Sequence, residues 1–383
     1  MKILYLIDTR LNDGGAPISS HILAKEMARR GEKVFIVMPW CEDKSLEDNL
    51  ICYKYVDKFL NTFPFDILHP VQFIKLVFEL ERKIKEISPD IIHAEMPRVG
   101  RAISILKKLK KIDSKIKLVF TDREYVIDLK KRYKFIYGRT IAKDFDVIIN
   151  LSNSAVNFWK KNMKKGECTV IPNPGGNLFD KYLEEDCIKS FDMFPEINSN
   201  KINIIFVGRM TWEKRWQLAK EVIFNINEKL KEKINIIIVL AYTSAEQKNE
   251  VNNYIKNFSL EKNIFIYENL SSDELNYLYY LSDIHCITSC RESFGRTAIE
   301  AMSRKTVVIS TDGGAIKETI GRKEFIVDDN PMLIAECLEK YICDKDLLEK
   351  EKENFYEYYQ SRYTVESNYI NHKKIYEKLL EKY

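Results

Sequence analysis

Two loops of this chain concentrate residues that suit the binding of a phosphorylated ligand. The first, residues 208–215, follows an apolar predicted strand and carries the cations Arg209, Lys214 and Arg215. These cations stand at the start of a predicted helix, where the helix dipole favours acidic residues. A bound diphosphate would offset that cost, because arginine offers a forked contact and lysine a point charge. A cluster of surface cations is the alternative interpretation.

The second loop, residues 289–297, lies between a predicted strand and a predicted helix. Glu292 lies in this loop, and Glu300 follows eight positions later, in what we predict to be the first helical turn. A carboxylate accepts hydrogen bonds from two neighbouring hydroxyls, which suits a ribose or a sugar ring. Between the two acids, Gly295 and Thr297 present backbone N–H groups at a helix start, a place for phosphate.

Two glycine pairs also lie between a strand and a helix. Gly14 and Gly15 follow the first predicted strand, and Gly313 and Gly314 follow the last. Paired glycines let a backbone approach a ligand closely, although ordinary tight turns use the same residues. The first pair is not part of a Gly-x-Gly-x-x-Gly run, so the nicotinamide-cofactor fingerprint is missing.

A repeated strand–helix pattern must position these loops. The predicted strands cover residues 2–7, 34–38, 91–94, 118–121, 147–151, 169–172, 202–207, 234–240, 264–267, 284–288 and 306–310. Such alternation predicts a parallel sheet with helices on both faces, and ligands bind at the carboxyl ends of its strands. The polar stretch 177–200 is the best linker candidate. We therefore predict an α/β fold of two Rossmann-like, doubly wound domains, residues 1–178 and 198–360, followed by a helix over residues 361–383.

Composition excludes several classes of protein. Hydrophobic residues make up 45% and charged residues 31% of the chain, the balance of a globular rather than a disordered protein. No apolar run approaches the ~20 residues that span a bilayer, and residues 1–7 are too short for a secretion signal. The eight cysteines form no Cys-x-x-Cys pair, which argues against zinc and thioredoxin-type chemistry. Scattered cysteines fit a reducing compartment, so we expect a cytoplasmic protein.

These motifs resemble those of the family 4 glycosyltransferases, retaining enzymes that use nucleotide sugars and have the two-domain GT-B architecture. The resemblance covers essentially the whole chain. It rests on Val207-Gly208-Arg209 followed by Glu213-Lys214, on the Glu292-to-Glu300 spacing around Ser293-Phe294-Gly295, and on Asp312-Gly313-Gly314. In this class the two domains face each other across a cleft and the C-terminal helix crosses back to the first domain.

The resemblance implies a role for each matching residue. Arg209 and Lys214 would hold the donor diphosphate and stabilise it as the leaving group; with Glu292, which would grip the donor sugar, they would be the catalytic residues. Glu300 would bind the ribose. The other donor-binding residues that it implies are Gly15, Ser293, Phe294, Gly295 and Thr297. No metal and no cofactor are implied, because cations and a helix N-terminus take the place of a metal and the nucleotide sugar is a co-substrate.

The chain departs from the family pattern on the acceptor side. Arg123 stands two residues after Thr121, where many members have a histidine. It would contact a phosphate or carboxylate of the acceptor, or pair with Glu124. Arg215 stands where the family often has glycine. His93, in the predicted strand 91–94, is a second acceptor-side candidate, with a hydrogen-bonded core histidine as the alternative.

Basic residues are concentrated between residues 101 and 165, where 18 lysines and arginines lie. Tyr133, Phe135, Tyr137 and Trp159 lie among them, a mixture typical of a membrane interface. We expect peripheral contact with the anionic inner face of a membrane and a lipid-linked or cell-envelope glycan as acceptor. A solvated basic face is the alternative. Nucleic acid is not expected as a partner, because the charges lack a recognition-helix pattern.

The function expected from the sequence is retaining transfer of a hexose-type sugar from a UDP- or GDP-sugar to a hydroxyl acceptor. A nucleotide-sugar epimerase is one alternative, against which the five histidines of the chain argue. A catalytically silent GT-B subunit that partners another transferase is the second. The intact set of Arg209, Lys214, Glu292 and Glu300 argues against it.

Overall fold

The strand–helix alternation folds into two α/β units, each with its own sheet, in a computed structural model of the chain. The structure describes residues 1–7, 15–38, 44–47, 50–54, 70–123, 126, 129–197, 200–258 and 262–381. Unit 1 comprises Met1–Pro174 together with Val365–Tyr383, and unit 2 comprises Gly175–Thr364. The predicted fold class, two Rossmann-like units of α/β type, is confirmed.

The sheet of unit 1 has eight described strands in the order β3-β4-β2-β1-β5-β6-β7-β8. The strands are β1 (Lys2–Leu6), β2 (Lys33–Met38), β3 (Lys44–Glu47), β4 (Leu50–Lys54), β5 (Ile91–Ala94), β6 (Lys117–Asp122), β7 (Val147–Asn150) and β8 (Glu167–Val170). All neighbours pair in parallel except β3 and β4, which are antiparallel. Central β1 is almost entirely apolar, because a parallel strand is buried on both faces. The short strands β3 and β4 were not predicted.

In the described part of unit 1, six α-helices precede the second unit. They are α1 (Gly15–Arg29), α2 (Pro70–Ile87), α3 (Pro97–Lys108), α4 (Lys131–Arg139), α5 (Ile141–Asp144) and α6 (Val156–Asn162). Helix α3 begins with a proline in its first turn, where no backbone N–H donor is needed. Its buried face, which includes Val99, Ile103 and Leu106, packs into the core that it shares with α2 and the sheet.

The stretch predicted as a linker contains regular structure. A 3-10 turn at Asn177–Phe179 is followed by α7 (Glu184–Met193), which begins with three acidic residues. Acidic residues in the first turn favour a helix through its dipole, so the charges that we interpreted as linker composition stabilise a helix start. The prediction of an irregular linker over residues 177–200 was therefore wrong for this part.

The sheet of unit 2 has six strands in the order β11-β10-β9-β12-β13-β14, all parallel. The strands are β9 (Ile202–Arg209), β10 (Ile234–Ala241), β11 (Ile264–Glu268), β12 (Ile284–Ile287), β13 (Val307–Thr311) and β14 (Ile326–Val327). Relative to the first strand of the unit, this is the 3-2-1-4-5-6 order of a dinucleotide-type fold. The strand order reverses between β9 and β12, so ligands are expected at the carboxyl ends of these two strands.

In addition to α7, the described residues of unit 2 form eight α-helices. They are α8 (Trp216–Asn225), α9 (Glu228–Lys231), α10 (Ala245–Ile255), α11 (Ser272–Leu281), α12 (Arg296–Met302), α13 (Ile316–Ile320), α14 (Pro331–Cys343) and α15 (Lys345–Arg362). The single helix predicted over residues 216–230 is divided into α8 and α9. Asn227 causes the division, because its side chain accepts a hydrogen bond from the Lys229 N–H and caps a new helix.

The last helix, α16 (Val365–Glu381), returns to unit 1. Its Tyr376 hydroxyl lies 3.0 Å from the hydroxyl of Tyr5 on β1, and both side chains are fully buried. The Arg30 guanidinium stacks 4.2 Å from the centre of the Tyr369 ring. The predicted return of the C-terminal helix to the first domain is confirmed; the helix begins at Val365 because α15 occupies the preceding residues.

The aromatic residues of the basic region are mostly part of the core. Trp159 is fully buried and donates a hydrogen bond of 2.8 Å from Nε1 to Asp122 Oδ2. Tyr133 and Tyr137 are also buried, whereas Phe135 is 58% exposed. Three of the four aromatic side chains expected at a membrane interface are therefore unavailable to it. Within the described ranges, none of the helices is long and apolar enough to span a bilayer.

Candidate functional site

The loops after β9 and β12 lie side by side because these two strands are neighbours in the sheet. His285 of β12 stands opposite Ile205 of β9. Both loops therefore leave the sheet at the same edge, at the place where the strand order reverses. The amide of Cys290 donates a 3.0 Å hydrogen bond to the carbonyl of Glu213, which joins the two loops directly. Residues 80 positions apart are thus brought into one site.

An ion pair connects the two loops through side chains. Lys214 Nζ lies 2.5 Å from Glu292 Oε1, and the two side chains are only 17% and 13% exposed. The Thr288 hydroxyl also donates a 2.9 Å hydrogen bond to the carbonyl of Lys214. The sequence predicted that both charged residues belong to the site, but not that they pair. The ammonium and the carboxylate together present one charged surface to a ligand.

Arg209 is the last residue of β9 and is exposed. Its carbonyl accepts a 2.9 Å hydrogen bond from the indole of Trp216, which fixes the backbone at this point. The preceding Gly208 is needed for packing, because a Cβ atom there would lie 3.1 Å from the Lys214 side-chain carbons. The Lys214 stem therefore passes directly over the end of β9, close to Arg209.

The third cation of the loop points to a different partner. Arg215 has a φ of +54° and forms the N-cap of α8, a backbone conformation that glycine adopts with little strain. A glycine at position 215 would adopt this conformation with less strain than arginine does. The Arg215 guanidinium lies 2.5 Å from Asp329 Oδ2, so its charge is engaged by that carboxylate.

The backbone at the glycine pair after β13, Gly313 and Gly314, contacts the backbone of Glu292. The Glu292 amide donates a 2.9 Å hydrogen bond to the Gly313 carbonyl, and the Glu292 carbonyl accepts one of 2.9 Å from Ala315. Gly314 has a φ of +76°, and a Cβ atom on it would lie 2.6 Å from the Glu292 carbonyl oxygen. The pair thus lets the two loops make close backbone contact.

The residues between the two glutamates are divided between the core and the surface. Phe294 is buried, and its ring packs edge-on against Tyr363 at 6.0 Å between centroids. Gly295 caps α12 with a φ of +92°. Ser293 is exposed and Thr297 is half-buried. Phe294 therefore anchors the loop in the core, where its carbonyl also accepts a hydrogen bond from the Thr319 hydroxyl, while Ser293 remains exposed.

Glu300 is the fifth residue of α12, so the expectation that it lies in the first helical turn was wrong. The helix begins at Arg296, directly after the left-handed Gly295. Glu300 Oε1 accepts hydrogen bonds from Arg296 Nη2 at 2.8 Å and from Nε at 3.2 Å. Burial raises the pKa of Glu300, and the adjacent Arg296 opposes that shift. This interaction was missed, although a spacing of four residues on a helix is its sequence signal.

His93 and Arg123 lie in a separate buried cluster in unit 1. His93 is fully buried, with Nδ1 2.6 Å from the Tyr376 hydroxyl and Nε2 2.6 Å from that of Thr121. Burial lowers the pKa of His93 to about 4, so the ring is neutral. Both nitrogens are therefore occupied, as in the core-histidine alternative.

Arg123 pairs within the same cluster. Its Nε lies 2.5 Å from Glu95 Oε2, and its Nη1 donates to the side-chain oxygen of Asn173. Glu124, the predicted pairing partner, lies outside the described residues. The Arg123 guanidinium forms its ion pair with Glu95. Glu95 follows β5 directly, and its position at a strand end is the signal that would have singled it out.

Of the first glycine pair, the structure describes only Gly15, the first residue of α1. Gly14 lies outside the described residues. Gly15 thus stands at the start of a fifteen-residue helix that follows β1.

Two family models match the chain, one over each half. The model described as "Glycosyl transferases group 1" matches residues 189–361, and the model described as "Glycosyltransferase Family 4" matches residues 13–174. The two matches together cover the loops, glycine pairs and glutamates described above.

Curated relatives are distant in sequence. A probable sucrose-phosphate synthase of Thermosipho melanesiensis is 26% identical over 404 aligned residues, which cover 94% of this chain and 90% of that protein. A 41.2 kDa uncharacterised protein in the cps region of Klebsiella pneumoniae is 27% identical over 240 residues. The latter match covers 60% of this chain and 62% of that protein, so the chain spans less than two thirds of its length.

Solved structures of similar fold cover the chain from end to end. A sucrose-phosphate synthase from Thermosynechococcus elongatus superimposes with a TM-score of 0.83 at 16% identity, over 100% of both chains. HepE of Anabaena, crystallised with UDP and glucose, has a TM-score of 0.76 at 16% identity, over 99% of this chain and 100% of its own. At these identities the likeness concerns the fold.

Proposed function

The chain belongs to the family 4 glycosyltransferases of GT-B type, and from this premise we propose that it transfers a hexose-type sugar from a UDP- or GDP-sugar to a hydroxyl group. The anomeric configuration of the sugar is retained in this reaction. The observation that carries the proposal is the Lys214–Glu292 pair, in which Nζ and Oε1 lie 2.5 Å apart at the point where the strand order reverses.

The proposed roles follow from the charges at this point. Arg209 and Lys214 bind the diphosphate of the donor, and the negative charge that develops on it during bond cleavage strengthens these contacts. A preorganised donor of this kind typically contributes ~3–4 kcal/mol to lowering the barrier. Glu292 accepts hydrogen bonds from hydroxyls of the donor sugar, and its backbone ties to Gly313 and Ala315 hold it in place. Glu300 binds the ribose.

The mechanism that we propose requires neither a metal nor a protein nucleophile. The acceptor hydroxyl attacks from the face that the diphosphate leaves, so that the leaving oxygen accepts the proton of the attacking hydroxyl. In this scheme the positive charge comes from Arg209 and Lys214.

A thermal-shift panel of nucleotides and nucleotide sugars tests the donor. A ligand that binds only the native state raises the melting temperature, so UDP or GDP and their sugars should do so, and adenine nucleotides less. Arg209→Ala should abolish the shift, while Lys305→Ala, which removes a cation paired with Glu353 elsewhere in unit 2, should preserve it. The absence of a shift with all these ligands would contradict the proposal.

A donor-hydrolysis assay separates an active transferase from a silent subunit. An active enzyme slowly releases nucleoside diphosphate from its donor, with water as the acceptor. A chain that binds a nucleotide sugar but releases no diphosphate, even with glycan acceptors present, would instead be a partner subunit.

We propose that the acceptor is a cell-envelope glycan or a lipid-linked precursor, bound at the inner face of an anionic membrane. One support is the similarity to a protein in the cps region of Klebsiella pneumoniae. The exposed lysines of unit 1 are the other. They include Lys107, Lys108, Lys110, Lys111, Lys115, Lys130, Lys131, Lys160, Lys161, Lys164 and Lys165. Among the exposed apolar side chains beside them are Leu109 (59%) and Phe135 (58%).

Co-sedimentation with liposomes tests the membrane contact. The chain should bind vesicles containing phosphatidylglycerol at low salt and dissociate at high salt, because salt screens exposed charges. Phe135→Ser should weaken binding, whereas Leu183→Ser, at a similarly exposed apolar side chain of unit 2, should not. No sedimentation with anionic vesicles at low salt would end this part of the proposal and leave the sugar-transfer part untouched.

A further inference from the structure

Arg296 opens α12 and lies one helical turn before Glu300, on the same face of the helix. Two of its nitrogens, Nη2 and Nε, donate to the same oxygen, Glu300 Oε1, at 2.8 and 3.2 Å. The Arg296 side chain is 17% exposed and the Glu300 side chain 10%. The pair is therefore mostly withdrawn from water, where an ion pair is screened less than at the surface.

A second contact fixes the guanidinium. Arg296 Nη2 also donates to the carbonyl oxygen of Gly175 at 3.3 Å. Gly175 is held in turn, because its amide donates a 2.9 Å hydrogen bond to the carbonyl of Tyr363. Arg296 is thus anchored to a rigid backbone point as well as to Glu300. An arginine held at two points restricts the orientation of the carboxylate that it contacts.

The other carboxylate oxygen is left for a ligand. Among the residues that the structure describes, no side chain or amide donates to Glu300 Oε2. A carboxylate has lone pairs on both oxygens, so Oε2 remains able to accept hydrogen bonds. With Oε1 occupied by Arg296, the acceptor atom that faces a ribose diol is Oε2.

Among the residues that the structure describes, Arg296 is the one cation found to act electrostatically on the Glu300 carboxylate. Tyr279 on α11 and Tyr359 on α15 are close enough to interact electrostatically with the carboxylate. Both hydroxyls are neutral, because burial raises the pKa of each tyrosine, and neither has a hydrogen-bond partner among the described residues. Burial alone favours the protonated form of Glu300.

We propose that Arg296 is a positioning residue for the donor: it keeps the Glu300 carboxylate ionised and turns its Oε2 toward the ribose hydroxyls. This rests on the proposed function, in which Glu300 binds the ribose. In this role Arg296 acts on the affinity for the donor through Glu300.

The experiment measures the affinity of UDP and GDP by calorimetry between pH 6 and 8 for the wild type and for Arg296→Met. The ratio of variant to wild-type Kd is compared at each pH, so that ionisation of the nucleotide cancels. Loss of a charged hydrogen-bonding partner weakens binding by about ten- to a hundredfold. The ratio should grow as the pH falls, because Glu300 without Arg296 takes up a proton at a higher pH.

Three further variants separate positioning from general damage. Arg296→Lys keeps the charge and should restore a flat ratio across the pH range. Glu300→Gln should weaken binding independently of pH, and the double variant Arg296→Met/Glu300→Gln should be no weaker than Glu300→Gln alone. Lys305→Met removes a cation of unit 2 paired with Glu353 and should bind as the wild type.

The possible results are distinguishable. A flat ratio for Arg296→Met, or additive losses in the double variant, would overturn the role of Arg296 and leave the proposed function standing. Wild-type affinity of Glu300→Gln would overturn both this inference and the ribose role of Glu300. If Arg296→Met fails to fold, Arg296→Gln, which keeps one donor without the charge, must show the same growing ratio or the inference falls.

Discussion

Gly314→Ala should separate Glu292 from the loop that supports it. Gly314 has a φ of +76°, and an added Cβ atom would lie 2.6 Å from the carbonyl oxygen of Glu292. Adopting the left-handed conformation costs a residue with a side chain about 1 kcal/mol. The contact must also be relieved by moving backbone, which endangers the two hydrogen bonds between Glu292 and residues 313 and 315, each contributing about 1 kcal/mol.

These contributions give a loss of roughly 2–4 kcal/mol in the stability of unit 2. For a unit of this size, that corresponds to a fall in Tm of roughly 4–16 °C. Gly31→Ala is the matched control, because Gly31 has a φ of +92° but no atom within 4 Å of its added Cβ. It should cost only the conformational part, about 1 kcal/mol or roughly 2–4 °C.

Calorimetric melting of both variants checks the stability, and the rate of donor hydrolysis checks the site. Gly314→Ala should lose most of its hydrolysis at temperatures well below its Tm, while Gly31→Ala should keep the wild-type rate. The reasoning would be refuted if the two variants melted alike. It would also be refuted if Gly314→Ala melted lower but turned over its donor as the wild type does, since Glu292 would then not depend on this support.

Three further predictions concern single charged or titratable groups. Lys214→Ala should lower kcat/KM by about a hundredfold or more, as expected for the loss of one preorganised donor. Its Tm should also fall, because Glu292 then lacks its ion-pair partner, so turnover is measured well below that Tm. Wild-type turnover of the folded variant would remove Lys214 from the diphosphate site. Glu300→Ala should raise the Kd of UDP or GDP in calorimetry, while Glu292→Ala mainly lowers kcat, and the reverse pattern would exchange the two assignments. Burial lowers the pKa of His93 to about 4 and that of His372 to about 3, below the unfolded value of 6.5. Both rings are therefore neutral in the folded protein. Their contribution to the free energy of unfolding is present above pH 6.5 and is lost as the pH falls toward the folded pKa values. For His93 the loss in the free energy of unfolding approaches about 3 kcal/mol. Urea unfolding measures this free energy at pH 7 and pH 5, and the difference between the two values should be smaller in His372→Gln than in the wild type. An equal difference would contradict this source of acid sensitivity.

The alternation of long elements was predictable from the sequence because buried parallel strands are continuous apolar runs. Short edge elements were not: Ile326–Val327 has only two residues, too few for a periodic pattern. The sequence does contain a signal for the break between α8 and α9, because Asn227 is a typical N-cap residue. The segment Glu184–Met193 is a helix, although we predicted a linker, because the acidic residues in its first turn are compatible with both a solvated linker and a helix start.

The members of the site were predictable, but their partners were not. Lys214 and Glu292 could be singled out because each follows a strand that ends at the same edge of a parallel sheet. That they pair depends on β9 and β12 being neighbours, which a local pattern does not contain. For Trp159 the prediction of exposure at a membrane interface was wrong. It lies beside Lys160 and Lys161 in the sequence, yet its side chain is fully buried. Exposure depends on the face of the helix, and neighbouring residues point in different directions.

The return of α16 to unit 1 has a consequence for synthesis on the ribosome. The described strands of the unit 1 sheet have all been made once residue 170 has been added, but Tyr376 and Leu379, which pack in the same core as its first strand, are made later. Between them lie the roughly 190 residues of unit 2, which at ~5–20 residues per second take on the order of 10–40 s to translate. During that interval Tyr5 and His93 lack their hydroxyl partner on α16. The nascent first unit therefore keeps an apolar face uncovered during that interval, and its packing is finished only when α16 has been made.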